Sequence, residues 1–133
     1  MRFVMFMYPG DWAPTPEDVD AMTRYNAELS KAGVLLALDG LQPPSSGARV
    51  RFAGGKPSVT DGPFTEAKEL VGGYWIIQAA SKEEAVEWAS RCPAGENDMI
   101  EVRQVYELSD FSEEIQAAAV ELPQTPPEQT IER

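Results

Sequence analysis

The chain contains no histidine. Catalysis, metal ligation and pH switching by imidazole are thereby excluded. One cysteine, Cys92, stands in 133 residues, so an internal disulfide and a thiolate zinc site are excluded as well. Basic side chains are scarce: 11 Lys and Arg against 22 Asp and Glu give a net charge of −11 at pH 7. Such a surface repels phosphate backbones and anionic headgroups, which argues against nucleic acid and membranes as partners. Long apolar runs are missing too. None approaches the roughly 18 residues of a membrane helix, and the apolar run within residues 2–8 stops at Pro9-Gly10, short of a signal-peptide core. The expectation is a soluble cytoplasmic protein, where an unpaired thiol persists.

What is present suffices for one packed core. Apolar residues make up 43% of the chain and charged residues 25%, in a length typical of a single domain. Residues 2–8 read as a buried strand. Thr15 as N-cap, Pro16 at the first helical position and Glu17-Asp18 in the first turn open a helix that ends at Gly33. Val19, Met22, Tyr25, Asn26 and Leu29 fall at helical spacing along it. Val34–Leu38 is a second strand. A Pro- and Ser-rich loop, 42–47, precedes a hairpin over Ala48–Thr60 that turns at Gly54-Gly55. Gly73–Ala79 has the aromatic and β-branched density of a central strand. Ser81-Lys82-Glu83-Glu84 is a capping-box start for a helix that Pro93 stops, and Met99–Leu108 is the last strand.

With the hairpin set aside, the order is βαββαβ, an α+β, ferredoxin-like sandwich with an inserted β-hairpin. Two helices cover one sheet face. The strands are apolar on both sides, so the bare face requires a cover, and a homodimer supplies one. Residues 1–108 form the domain, 109–122 an amphipathic C-terminal helix with Phe111, Ile115, Ala118 and Leu122 on one stripe, and 123–133 an acidic tail expected to be disordered. Residues 107–133 carry −6 of the charge and the preceding 106 residues −5.

At Asp61-Gly62-Pro63-Phe64, followed by Glu66, Lys68-Glu69 and Gly72-Gly73, the sequence resembles the YCII-related family in its DGPF-motif branch. The resemblance extends upstream through Gly40-Leu41-Gln42-Pro43 and Arg49-Val50-Arg51-Phe52. Downstream it takes in Glu84-Ala85, Trp88-Ala89 and Arg91-Cys92-Pro93, and it spans roughly residues 2–108. It implies a protomer of the dimeric α/β-barrel class with a cleft near the subunit interface, and no established reaction. Some relatives carry a His–Asp pair proposed as catalytic, which a chain without histidine does not inherit. DGPF-branch members are also often encoded beside extracytoplasmic-function sigma factors, which implies a regulatory alternative.

Asp61 is the candidate catalytic residue. An Asp before a turn ordinarily caps the N–H two residues on, but that position is Pro63, which has none. The carboxylate is either a turn anchor reaching Phe64 or a ligand and acid–base group on a specialised loop. Glu66 and Lys68 share one side if the segment is extended, and are candidate ligand contacts. The alternative for them is a solvated charge run. Asp39, closing an apolar strand, is a second candidate acid or a strand-end cap. Tyr8 is a candidate ligand contact; Tyr8, Tyr25 and Tyr74 otherwise read as core or interface aromatics. Cys92 at a helix C-terminus is not expected to be reactive. No metal and no cofactor are expected, since EF-hand and phosphate-loop spacings are missing. Two functions remain in view: a small molecule bound near Asp61, with or without carboxylate/lysine catalysis, or a non-enzymatic regulator of a sigma factor.

Overall fold

A computed structural model describes residues 1–11, 13–63 and 70–119. The first strand, β1 (Arg2–Tyr8), alternates as its sequence requires, with Phe3 and Met5 buried and Val4, Phe6 and Tyr8 turned to the other face. Helix α1 (Pro16–Lys31) begins at a reciprocal capping box. The Asp18 N–H donates to Thr15 Oγ1 at 3.3 Å, and the Thr15 N–H donates to Asp18 Oδ2 at 2.8 Å. Tyr25 and Leu29 are its buried residues. β2 (Leu35–Gly40), the hairpin strands β3 (Ala48–Ala53) and β4 (Lys56–Asp61), and β5 (Gly73–Gln78) follow. Helix α2 (Lys82–Ser90) and β6 (Met99–Gln104) complete the domain, and a short helix, α3 (Glu113–Ala118), lies beyond.

The sheet has the order β2-β5-β1-β6, antiparallel throughout. That order, with α1 and α2 after β1 and β5, is the ferredoxin-like arrangement, so the α+β class and the inserted hairpin are both as expected. Gly54 and Gly55 have φ of 59° and 75°, the left-handed pair that a two-residue I′ turn demands. The hairpin forms a separate two-stranded sheet. The core lies between the four-stranded sheet and the two helices, where Phe3, Met5, Leu29, Ile77 and Ala85 are almost wholly buried. The opposite sheet face carries Val4, Phe6, Ala37 and Ile76, all half-buried.

Several details differ from the sequence reading, and two strand ends and one helix cap show what sets them. β2 runs on to Gly40, since Asp39 and Gly40 pair with Tyr74 and Gly73. β6 stops at Gln104 because β1 begins at Arg2; the Val105 N–H still donates to the Arg2 carbonyl at 2.9 Å. At α2 the Glu84 N–H donates to Ser81 Oγ at 3.2 Å. The Glu84 carboxylate reaches one residue further than a capping box, to the Ala80 N–H at 2.9 Å. Among the described residues no helix is long and apolar enough to cross a membrane.

Candidate ligand-binding site

β1, β2 and β5 meet at one end of the sheet. β1 runs out at Pro9-Gly10, β2 ends at Gly40, and the chain re-enters through Gly72-Gly73. The Gly72 N–H donates to the Met7 carbonyl at 2.8 Å, and the Leu41 N–H donates to the Gly72 carbonyl at 2.9 Å. Gly72 is thereby threaded between the two strand ends. A Cβ on Gly73 would lie 2.9 Å from the Asp39 carbonyl oxygen, so the bare backbone keeps this end of the sheet closed tightly enough to hold its registers.

Asp39 and Tyr74 stand directly opposite across β2 and β5. The Tyr74 hydroxyl donates to Asp39 Oδ2 at 2.7 Å. This bond raises the Tyr74 pKa, with smaller contributions from desolvation and the Asp39 charge. The phenol therefore serves as a donor and not as a base at neutral pH. A second fixed pair lies on the other face of the sheet, since Tyr74 stands opposite Phe6 and Trp75 opposite the buried Met5. The Trp75 indole N–H donates to Asn26 Oδ1 at 2.8 Å, which leaves the Asn26 amide nitrogen to donate. The Asn26–Trp75 pair lines a cavity of about 230 Å³ on the helix face, and Asp39, Gly40, Gly72, Gly73 and Tyr74 border it at the strand ends. Its apolar wall comes from Met7, Met22, Leu38 and Trp75. A concave apolar wall with a few held polar groups is the usual make-up of a small-molecule site.

Tyr25 is elsewhere. It is buried in the core, edge-on to Trp75 at 6.0 Å and 86°, and its hydroxyl donates to the Trp88 carbonyl at 2.7 Å. Burial pushes its pKa well up.

Of the residues singled out from the sequence, Asp39 borders this cavity, with its carboxylate on the open face beside Tyr74. Tyr8 lines a neighbouring one of about 580 Å³, with Pro9, Asp11, Leu70 and Met99, and the two cavities share no lining residue. Asp61 is exposed at the end of β4, opposite Ala48, and lines neither. Glu66 and Lys68 lie outside the described residues. The turn after Asp61 is nonetheless tied to β2's end. The Gly62 N–H donates to the Gly47 carbonyl at 3.0 Å, and Gly62 lies against the Pro44 carbonyl in the loop that follows Gly40. The residues missed by sequence reasoning are Asn26 and Trp75. Their signal was present: Asn26 is the one polar member of the helical stripe Val19, Met22, Tyr25, Asn26 and Leu29, and a polar group on a buried stripe needs a partner.

A third cavity, of about 660 Å³, lies between α2 and β6 and includes Cys92. Burial, and secondarily the charge of Asp98, pushes the Cys92 thiol up to about 11.

The family model for the YCII-related domain matches residues 1–109. The chain belongs to the YCII-related family. A curated relative, an uncharacterized protein of Rhizobium meliloti (strain 1021), is 36% identical over 72 residues, 54% of this chain and 56% of that one. The chain thus spans about half the length of the curated relative it matches. Among solved structures, it is similar to 5-chloro-2-hydroxyhydroquinone dehydrochlorinase from Burkholderia phenoliruptrix AC1100, in complex with 2,5-dihydroxybenzoquinone. The TM-score is 0.45 at 14% identity, over 80% of this chain and 96% of that one.

Proposed function

We propose that this YCII-related protein, of the DGPF branch, is a cytoplasmic homodimer that binds a small molecule in the Asn26–Trp75 cavity. The observation that carries the reading is the coincidence of a held polar pair, Asn26 with Trp75, and an apolar wall of Met7, Met22 and Leu38. Asn26 offers an amide donor, so the ligand is a compact, largely apolar molecule bearing at least one hydrogen-bond acceptor. Asp61 is the acid or base of any reaction at this end of the sheet, with Glu66 and Lys68 as further contacts. The Gly62–Pro44 packing links its turn to the loop that follows Asp39. The homodimer rests on the half-buried apolar face of Val4, Phe6, Ala37 and Ile76, which a second copy covers.

A metabolite screen by thermal shift tests the reading, run on wild type and on Asn26→Leu, Leu38→Trp and Asp61→Asn. Hits that stabilise the wild type are expected to be weakened by the first two. Hits that survive both, or a screen without hits, count against it. If turnover is found, Asp61→Asn abolishes it with binding retained.

The second reading is a regulator docking on a sigma factor through its acidic C-terminal segment. It is favoured by Phe111 and Ile115, exposed beside Glu113 and Glu114, with Phe111 stacked on Tyr106 at 4.9 Å. Pull-down with full-length protein and with a version ending at Leu108 separates the two. Equal capture by both removes the segment from the mechanism.

A further inference from the structure

The walls of the Asn26–Trp75 cavity select for more than low polarity. Trp75 spends its one donor on Asn26 Oδ1, so toward a ligand the indole offers only carbon and π surface. Met7 and Met22 line the same space, and a polarizable thioether packs favourably at the edge of an aromatic ring. Gly40, Gly72 and Gly73 also line it, and with no side chains they leave that wall as bare backbone. An indole and two thioethers reward a flat aromatic ring beyond the area it buries.

Charge and volume narrow the class. Among the described residues that line the cavity there is no lysine or arginine, and its one carboxylate, Asp39, is engaged by Tyr74 on the open face. An anion would find no counter-charge there, and a net −11 repels it from a distance. A cation would be desolvated without an inward carboxylate to pair with. The cavity measures about 230 Å³. An apolar cavity of about 150 Å³ holds benzene, and each further heavy atom takes roughly 30 Å³ by the measure of liquid water. One ring with about two or three additional heavy atoms fills the space.

We infer that the cavity takes a neutral, single-ring aromatic compound whose substituent carries a carbonyl oxygen that accepts from the Asn26 amide. The inference rests on the small-molecule reading above and names the chemical class of that ligand. Trp75, Met7 and Met22 recognise the ring, and Asn26 fixes its direction.

Three probes, each titrated into the full chain carrying methyl-labelled methionine, separate these features. Acetophenone has the ring and the carbonyl. Cyclohexyl methyl ketone keeps the carbonyl and loses the aromatic ring, and ethylbenzene keeps the ring and loses the acceptor. Acetophenone should bind about tenfold tighter than either, as two sulfur–ring contacts or one satisfied amide would give. Its ring current should also move the NMR signals of Met7 and Met22. Leu38 lies at the rim, 38% exposed, and Leu38→Trp should remove these shifts with the far-ultraviolet circular dichroism unchanged. Equal affinities for the two ketones overturn the aromatic class and leave the small-molecule reading standing. Ethylbenzene bound as tightly as acetophenone overturns the role given to Asn26. Acetophenone that moves neither methionine, or moves both undiminished in Leu38→Trp, overturns the inference outright, and the metabolite screen then judges the cavity by itself.

Discussion

A phenol that donates to a carboxylate gives up its own proton reluctantly, because ionisation would set two negative charges side by side. Tyr74 is in that position, and its raised pKa traces first to the Asp39 hydrogen bond. A tyrosine raised in the folded state contributes stability below the unfolded value, about 10, and that contribution is lost as the pH climbs through the folded value. Ultraviolet titration of wild type minus Tyr74→Phe should isolate this phenol, ionising above the ordinary tyrosine range. Asp39→Asn should bring it back down; an identical midpoint in both proteins would contradict the pairing. Cys92 gives a second readout. With its thiol near 11, the thiolate is scarce at neutral pH, and alkylation by iodoacetamide should be roughly a hundredfold slower than in urea-unfolded protein. Equal rates would place the thiol in solvent. At this scale the sequence was only half informative. Asp39 was visible as a carboxylate ending an apolar strand, but its bond to Tyr74 spans 35 residues and depends on a β2–β5 register with a shift between Leu35 and Ala37. Local spacing does not encode that register.

Elements with strong local signals were legible, and those defined by their neighbours were not. α1 was readable because Thr15, Pro16 and Asp18 settle its start through contacts within four residues. The hairpin was readable because Gly54-Gly55 is a turn on its own. β6 read four residues too long, since its end is set by where β1 begins. The turn after Asp61 is specialised in packing as well as in sequence. A Cβ on Gly62 would sit 1.8 Å from the Pro44 carbonyl oxygen, backbone against backbone. Gly62→Ala should therefore lower stability by about 1–3 kcal/mol in urea unfolding. Gly47 is the control. Its Cβ would meet the same oxygen at 3.4 Å from an extended conformation, so Gly47→Ala should stay within about 0.5 kcal/mol of wild type. Equal losses at the two positions would show that the packing on Pro44 is not what requires glycine.

For the whole molecule, the excess of carboxylates first read as a property of one acidic surface. It divides instead into a mildly acidic body, an acidic end and a hairpin of opposite sign. The fold class followed from element order alone, because βαββαβ with short connections leaves few topologies. The site did not, because it is assembled where three strand ends converge. The central claim is that a small molecule occupies the cavity of Asn26, Leu38 and Trp75. The five methionines make it directly testable, since Met7 and Met22 line this cavity, Met99 lines the one beside Tyr8, and Met5 lies in the core. With methyl-labelled methionine, a ligand from the screen should move the NMR signals of Met7 and Met22 and leave Met5 and Met99 in place. The same ligand should produce no such shifts in Asn26→Leu. Shifts confined to Met99, or shifts at Met7 and Met22 that persist unchanged in Asn26→Leu, would contradict the account.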